Sequence, residues 1–171
     1  MNRRRFLILG GLSTLGIAAG SATYRVLGVW WDQSPAPERR ILSTRENLIA
    51  EAIVDAIFPG DSLGMPNGND VAVVDVLDRY LAAIPESKSN LLRLLLHAID
   101  EMALPVGARF VPFHRRNRPE RVEILARWDS SRLTARQEAF GALKIILSMG
   151  YCESPRVIRA AGIDYECGGW R

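Results

Sequence analysis

The apolar positions of this chain recur at helical spacing. Leu48, Ile49, Ala52, Ile53, Ala56 and Ile57 fall three and four residues apart. They predict a first helix that opens on a capping box, Ser43 with Glu46, and ends at Pro59. Residues 59–69 carry Gly60, Gly64, Gly68, Pro59 and Pro66 and read as a loop. Asp70 is placed to cap a second helix reaching about Ala83, with Val73, Val74, Leu77, Tyr80, Leu81 and Ile84 as its apolar set. The valines also suit a strand, and the period decides for helix. A third helix, from about Ser89 to Leu104, holds Leu91, Leu92, Leu94, Leu95 and Leu96. A stripe that wide predicts a central, largely buried helix. Pro105 and Gly107 break it. Pro119 opens a fourth helix running to Trp128. Thr134 with Gln137 forms a second capping box for a fifth helix, Ala135 to Met149, stopped by Gly150. Ser154-Pro155 begins a short last helix that Gly162 closes. No segment alternates like a strand and no repeat is visible. The expected fold is all-α: one small bundle of five to six helices behind an N-terminal signal or anchor helix.

The organisation follows. Residues 1–24 read as a leader, 25–40 as a linker in which Pro35, Pro37 and charges prevent packing, and 41–171 as the helical domain. At 171 residues the chain is long enough for one domain with a real core and short for two. Its net charge of +3 sits wholly in the leader, where Arg3, Arg4 and Arg5 have no acid beside them. The remainder is neutral. A nucleic-acid binder needs its excess of Lys and Arg on the folded part, so that class of partner is not expected.

The leader is an address. Arg3, Arg4 and Arg5 precede an uncharged run from Phe6 to Tyr24 that ends in small residues, Gly20-Ser21-Ala22. Arg3-Arg4, any residue, then Phe6-Leu7 resembles the twin-arginine export motif, with Asn2 where Ser or Thr is usual. Gly10, Gly11, Gly16 and Gly20 dilute the apolar run, as suits that route for proteins already folded in the cytoplasm. The run is close to the roughly 20 residues that span a bilayer, and Trp30-Trp31 suits a membrane interface. Cleavage after Ala22 and retention as a single anchor both fit. Either way the domain is expected in the periplasm or on the periplasmic face of the membrane.

Little chemistry is written into the domain. It has no Cys-x-x-Cys-His, no glycine-rich nucleotide loop and no metal-ligand spacing, so no cofactor, metal or catalytic residue is expected on this chain. His97, inside the leucine-rich helix, is expected as a hydrogen-bonded structural residue. His114 adjoins Arg115-Arg116-Asn117-Arg118, which reads as a solvated loop, or more sharply as a docking patch for an acidic surface. The one-turn pairs Glu51/Asp55 and Asp75/Asp78 read as solvent-facing carboxylates. Cys152 and Cys167 are a candidate disulfide, worth about 3 kcal/mol by loop closure. A buried free Cys152 and a link between subunits are the alternatives. A docking surface should carry an apolar cluster, with Phe110, Phe113, Trp128 and Trp170 as candidates beside Arg115 and Arg116; the alternative is that most of these aromatics are core.

Three features together resemble the subunit 3 family of gluconate 2-dehydrogenase. They are the twin-arginine leader; Ile53-Val54-Asp55-Ala56-Ile57-Phe58-Pro59-Gly60-Asp61 with Val73-Val74-Asp75-Val76-Leu77-Asp78-Arg79; and Phe140-Gly141-Ala142-Leu143-Lys144 with Met149-Gly150-Tyr151 and Ser154-Pro155. The order spans about residues 1 to 162. Gly168-Gly169-Trp170 matches the family's glycine-rich ending loosely, and the middle of the chain, with its Arg115-Arg116 loop, is not matched residue by residue. The resemblance implies a non-catalytic small subunit whose partner is a large FAD-containing flavoprotein of the glucose–methanol–choline type, with electrons passing on to a membrane cytochrome c subunit. It implies escort of that flavoprotein through twin-arginine export. A free-standing periplasmic or membrane-anchored helical binding module, and an enzyme in its own right, are the competing expectations.

Overall fold

The computed structural model describes residues 33–60, 64–101 and 111–163. The chain divides into two units, Met1–Ser34 and Pro35–Arg171. Six α-helices lie among the described residues of the second: α1 (Thr44–Ile57), α2 (Val73–Ala83), α3 (Glu86–Glu101), α4 (Arg118–Asp129), α5 (Thr134–Cys152) and α6 (Pro155–Ala160). Short 3₁₀ turns at Asn69–Val71 and Phe113–Arg115 join them, and the described residues contain no strand. The all-α expectation holds there.

Helix α1 is the hub. Its predicted capping box forms: the Ser43 hydroxyl accepts from the Glu46 N–H, and the Glu46 carboxylate accepts from the Ser43 N–H at 2.8 Å. Ile49, Ala50, Ile53 and Val54 are buried, and α1 packs against α2, α3, α4 and both turns. The small residues Ala50, Ala52 and Ala56 leave room for several neighbours at once. Pro59 ends the helix as expected, with Phe58 at the C-cap.

The middle of the bundle departs from expectation in an instructive way. The leucine-rich helix is not central. On α3, Leu91 is 62% exposed and Leu92 and Leu94 are half-buried, whereas Ser89, His97 and Asp100 are buried. Helix α2 begins at Val73, not at Asp70, because the chain first makes the 3₁₀ turn and then passes through Ala72 with a left-handed backbone (φ +58°). Leu133 occupies the N-cap of α5 and Thr134 lies inside the helix, so the second capping box does not form. Nor does Gly150 stop that helix. It runs on to Cys152, and Gly150 is where α2 and α5 press together: a Cβ there would come within 2.9 Å of Val76 Cβ. Gly150→Val is therefore expected to cost about 1–3 kcal/mol through overpacking; urea midpoints of the two proteins measure it, and an unchanged midpoint contradicts the close packing.

The stretch read as an unpacked linker is seated from Pro35 onward. Pro35 pairs with Ser43, and the Ala36 N–H donates to the Leu42 carbonyl at 2.9 Å. Arg39 reaches Asn47 on α1 and Asp75 on α2. The reason lies in Asp78, one of the carboxylates expected to face solvent. It is buried and accepts the backbone N–H groups of Arg40, Ile41 and Leu42 at 2.7, 3.0 and 2.9 Å. Three such bonds satisfy backbone donors that no helix yet serves.

Candidate functional site

Two polar arrangements and one apolar surface stand out. The first lies between α1 and α3. Glu46 is buried at the first turn of α1; its Oε1 accepts from Arg93 Nε at 2.8 Å and from His97 Nε2 at 3.3 Å. Burial alone would raise its pKa. The hydrogen bonds from His97, Arg93 and the Ser43 N–H outweigh that and hold it at about 2. One residue earlier, Arg45 Nη2 donates to Asp100 Oδ2 at 2.9 Å and to Glu101 Oε1 at 3.0 Å. Asp100 is fully buried and also accepts from the N–H and Nδ1–H of His114 at 3.1 and 2.7 Å. The polar face of α3, namely Arg93, His97 and Asp100 spaced four and three residues apart, is thus turned toward α1. His97 is the hydrogen-bonded structural residue expected. His114 is tied to Asp100 and does not belong to a solvated loop.

The second arrangement is a half-exposed cluster around Asp55. Its carboxylate accepts from Arg118 Nη2 at 2.6 Å, Asn67 Nδ2 at 3.2 Å and Arg121 Nη1 at 3.3 Å. The Arg118 bond is the main cause of its lowered pKa. Beside it Leu48, Glu51, His114 and Arg121 line a cleft of about 260 Å³. The cluster joins α1, α4 and the loop after α1, and each of its charged groups is engaged in that work. Among the described residues no set of three His, Cys, Asp or Glu is grouped to hold a metal.

The apolar surface is a groove of about 610 Å³ walled by α3 and α5, with the end of α2 on one side and Trp128 of α4 at its base. Its lining is almost entirely aliphatic or aromatic. Leu91, Leu92 and Leu95 come from α3, and Ala139, Ala142 and Ile146 from α5. The leucine excess that suggested a central helix is this wall: α3 gives its polar face to α1 and keeps an apolar face open. A smaller hollow of about 230 Å³, lined by Val76, Tyr80, Ile146 and Met149 with Glu153 at its edge, continues the groove past Tyr80 and Ile146. Leu91, Ile145 and Met149 are 62%, 63% and 64% exposed, which extends the apolar character beyond the groove itself.

The sequence-level docking candidates fare unevenly. Phe113 is fully buried against α1 and α3, Arg116 is buried with its Nε donating to the Val111 carbonyl, and neither lies on a surface. Their adjacency in sequence suggested one basic–aromatic patch, but the 3₁₀ turn at Phe113–Arg115 places Phe113 and Arg116, three residues apart, on one inward side. Of Phe113, Arg115 and Arg116, Arg115 is the exposed one. Trp128 is 97% buried by its 3% exposure, stacked by Arg136 at 4.1 Å and set near Phe140 at 6.5 Å between ring centroids; it forms the base of the groove, not a projecting anchor. Phe110, Trp170, Cys167 and the leader residues Arg3, Arg4, Phe6 and Leu7 lie outside the described residues. Cys152 is exposed, which removes the reading of it as a buried thiol. Sequence reasoning missed Leu91, Ile145 and Met149; the surplus of leucines on α3 over what one core-facing stripe needs was the available signal. Among the described residues no helix is long and apolar enough to cross a membrane. No family model, curated protein or solved structure matches the chain.

Proposed function

We propose that this chain is a non-catalytic small subunit of an FAD-dependent dehydrogenase, which binds its flavoprotein and escorts it through the twin-arginine route to the periplasm or the periplasmic face of the membrane. The likeness to the subunit 3 family of gluconate 2-dehydrogenase in the leader and in the two helix-end stretches motivates the reading. The observation that carries it is the apolar groove. A contiguous apolar surface with a charged residue at its rim is the kind of surface that protein association uses. Away from the groove, Glu46, Asp55, Asp78 and Asp100 are each engaged in internal hydrogen bonds that tie one part of the domain to another. Substrate contacts and FAD then belong to the partner, as does electron transfer onward to a cytochrome c subunit.

The test is co-expression with an FAD-containing dehydrogenase subunit of the glucose–methanol–choline type and purification through this chain. A yellow complex with flavin absorbance and substrate-dependent dye reduction is the expected result. A colourless chain that elutes alone, with the flavoprotein in the flow-through, contradicts it and favours a free-standing binding module.

A further inference from the structure

Resting on the reading just given, we propose that the groove between α3 and α5 seats an amphipathic helix of the flavoprotein partner, apolar along one face and bearing a carboxylate that meets Lys88. The extent of the apolar surface selects a polypeptide over a small molecule. A compound filling the 610 Å³ groove would leave the adjoining hollow beyond Tyr80 and Ile146 empty, and Met149 and Ile145 in water. A helix several turns long covers both, with anchors at i, i+3 or i+4, and i+7. The walls suit a helix. Ala98, Ala139 and Ala142 give a shallow channel in which another backbone can approach closely, flanked by the ridge of Leu91, Leu92 and Leu95.

Two polar groups without a protein partner among the described residues bear on the rest of the occupant's chemistry. Lys88, at the rim, is exposed and has no ion-pair partner among the described residues, so it is complementary to an acid on the incoming helix. Trp128 Nε1 is buried with no acceptor, although the ring lines the groove. A buried indole N–H without a partner is costly, and a small turn of the ring on binding would bring it to an acceptor on the occupant.

Photo-cross-linking in the full co-expressed complex tests this. A benzoylphenylalanine is placed at Leu91 or at Ala142, and at exposed Arg159 on α6 as a control. Cross-links from the first two into one segment of the FAD-bearing polypeptide, and none from Arg159, are expected. Lys88→Glu should weaken the complex roughly fivefold to tenfold, with recovery when the acid in the cross-linked segment is changed to lysine. Ala142→Trp, which fills the groove from an exposed position, should block assembly while helical circular dichroism stays unchanged. Cross-links to residues 164–171 of the same chain or to lipid, or normal assembly of Ala142→Trp, overturn the assignment of the groove and leave the escort reading standing. Failure of the unsubstituted chain to form any flavin-containing complex overturns the escort reading and this inference together.

Discussion

Glu46→Ala is expected to lower the stability of the domain by about 3–5 kcal/mol, the usual cost of removing one partner from a buried ion pair. The carboxylate serves three donors, Arg93, His97 and the Ser43 N–H, and its loss leaves a buried guanidinium and imidazole facing an empty site. Against a total of roughly 5–15 kcal/mol for an ordinary domain, that is a large fraction. The same group gives a pH signature. Its pKa is about 2 in the folded protein against an ordinary value of 4.5, so the folded state holds the charged form more strongly than the unfolded chain does. The contribution of a lowered carboxylate is complete above about pH 4.5 and drains away as pH falls toward 2. A shift of that size corresponds to about 3 kcal/mol, in keeping with the mutational cost. Denaturant midpoints of the parent and Glu46→Ala chains, taken between pH 7 and pH 3, should lie far apart at neutral pH and converge in acid. A constant gap would mean that the side chain acts through packing alone. A gap under about 1 kcal/mol at pH 7 would place the link between α1 and α3 elsewhere.

What the sequence disclosed and what it concealed divide along one physical line. Signals confined to a few neighbouring residues were legible: the Ser43–Glu46 box, the Pro59 stop, the Pro119 start and the turn at Gly162 all lie where local chemistry places them. Helix existence was likewise legible from period. The direction in which each helix faces was not, because it depends on partners distant in the chain. Asp78 looks like any exposed carboxylate until three backbone N–H groups some 36 to 38 residues away are brought to it. Helix α3 is the sharpest case. Periodicity turns its leucines inward and its Arg93, His97 and Asp100 outward, yet Arg45 and Glu46 at the start of α1 supply opposite charges for that polar face. With those partners the polar side is buried at acceptable cost, and the leucines are left for the groove. Gly150 was read as a stop because glycine often ends helices; here it admits Val76, a reason visible only across two helices. The docking residues were hardest to read, since aromatics suit both cores and interfaces, and Phe113 went to the core.

If the chain escorts a flavoprotein as proposed, the largest functional effect is expected at Arg3 and Arg4. Replacing Arg3 and Arg4 by lysine should retain both this chain and its flavoprotein in the cytoplasm, with dehydrogenase activity nearly absent from the periplasmic fraction. The substitution keeps both positive charges, so an ordinary secretory signal, which needs only a basic start ahead of its apolar run, would tolerate it. It removes the planar guanidinium groups, whose five fixed donors an ammonium cannot reproduce. Loss of export with charge unchanged therefore separates recognition of the arginine pair from simple attraction. The consequence for the partner follows from the order of events. A flavoprotein that must hold FAD before crossing has to be folded in the cytoplasm, and if it lacks a leader it can leave only while bound to a chain that has one. The groove is where such binding would occur, so Ala142→Trp in an otherwise unaltered chain should strand the flavoprotein while the small subunit itself still crosses. Fractionation and activity assays on the two variants give opposite patterns for the small subunit and the same pattern for the dehydrogenase. If the lysine pair holds back only this chain and the dehydrogenase still reaches the periplasm, the two proteins travel independently and escort is not the function of the subunit.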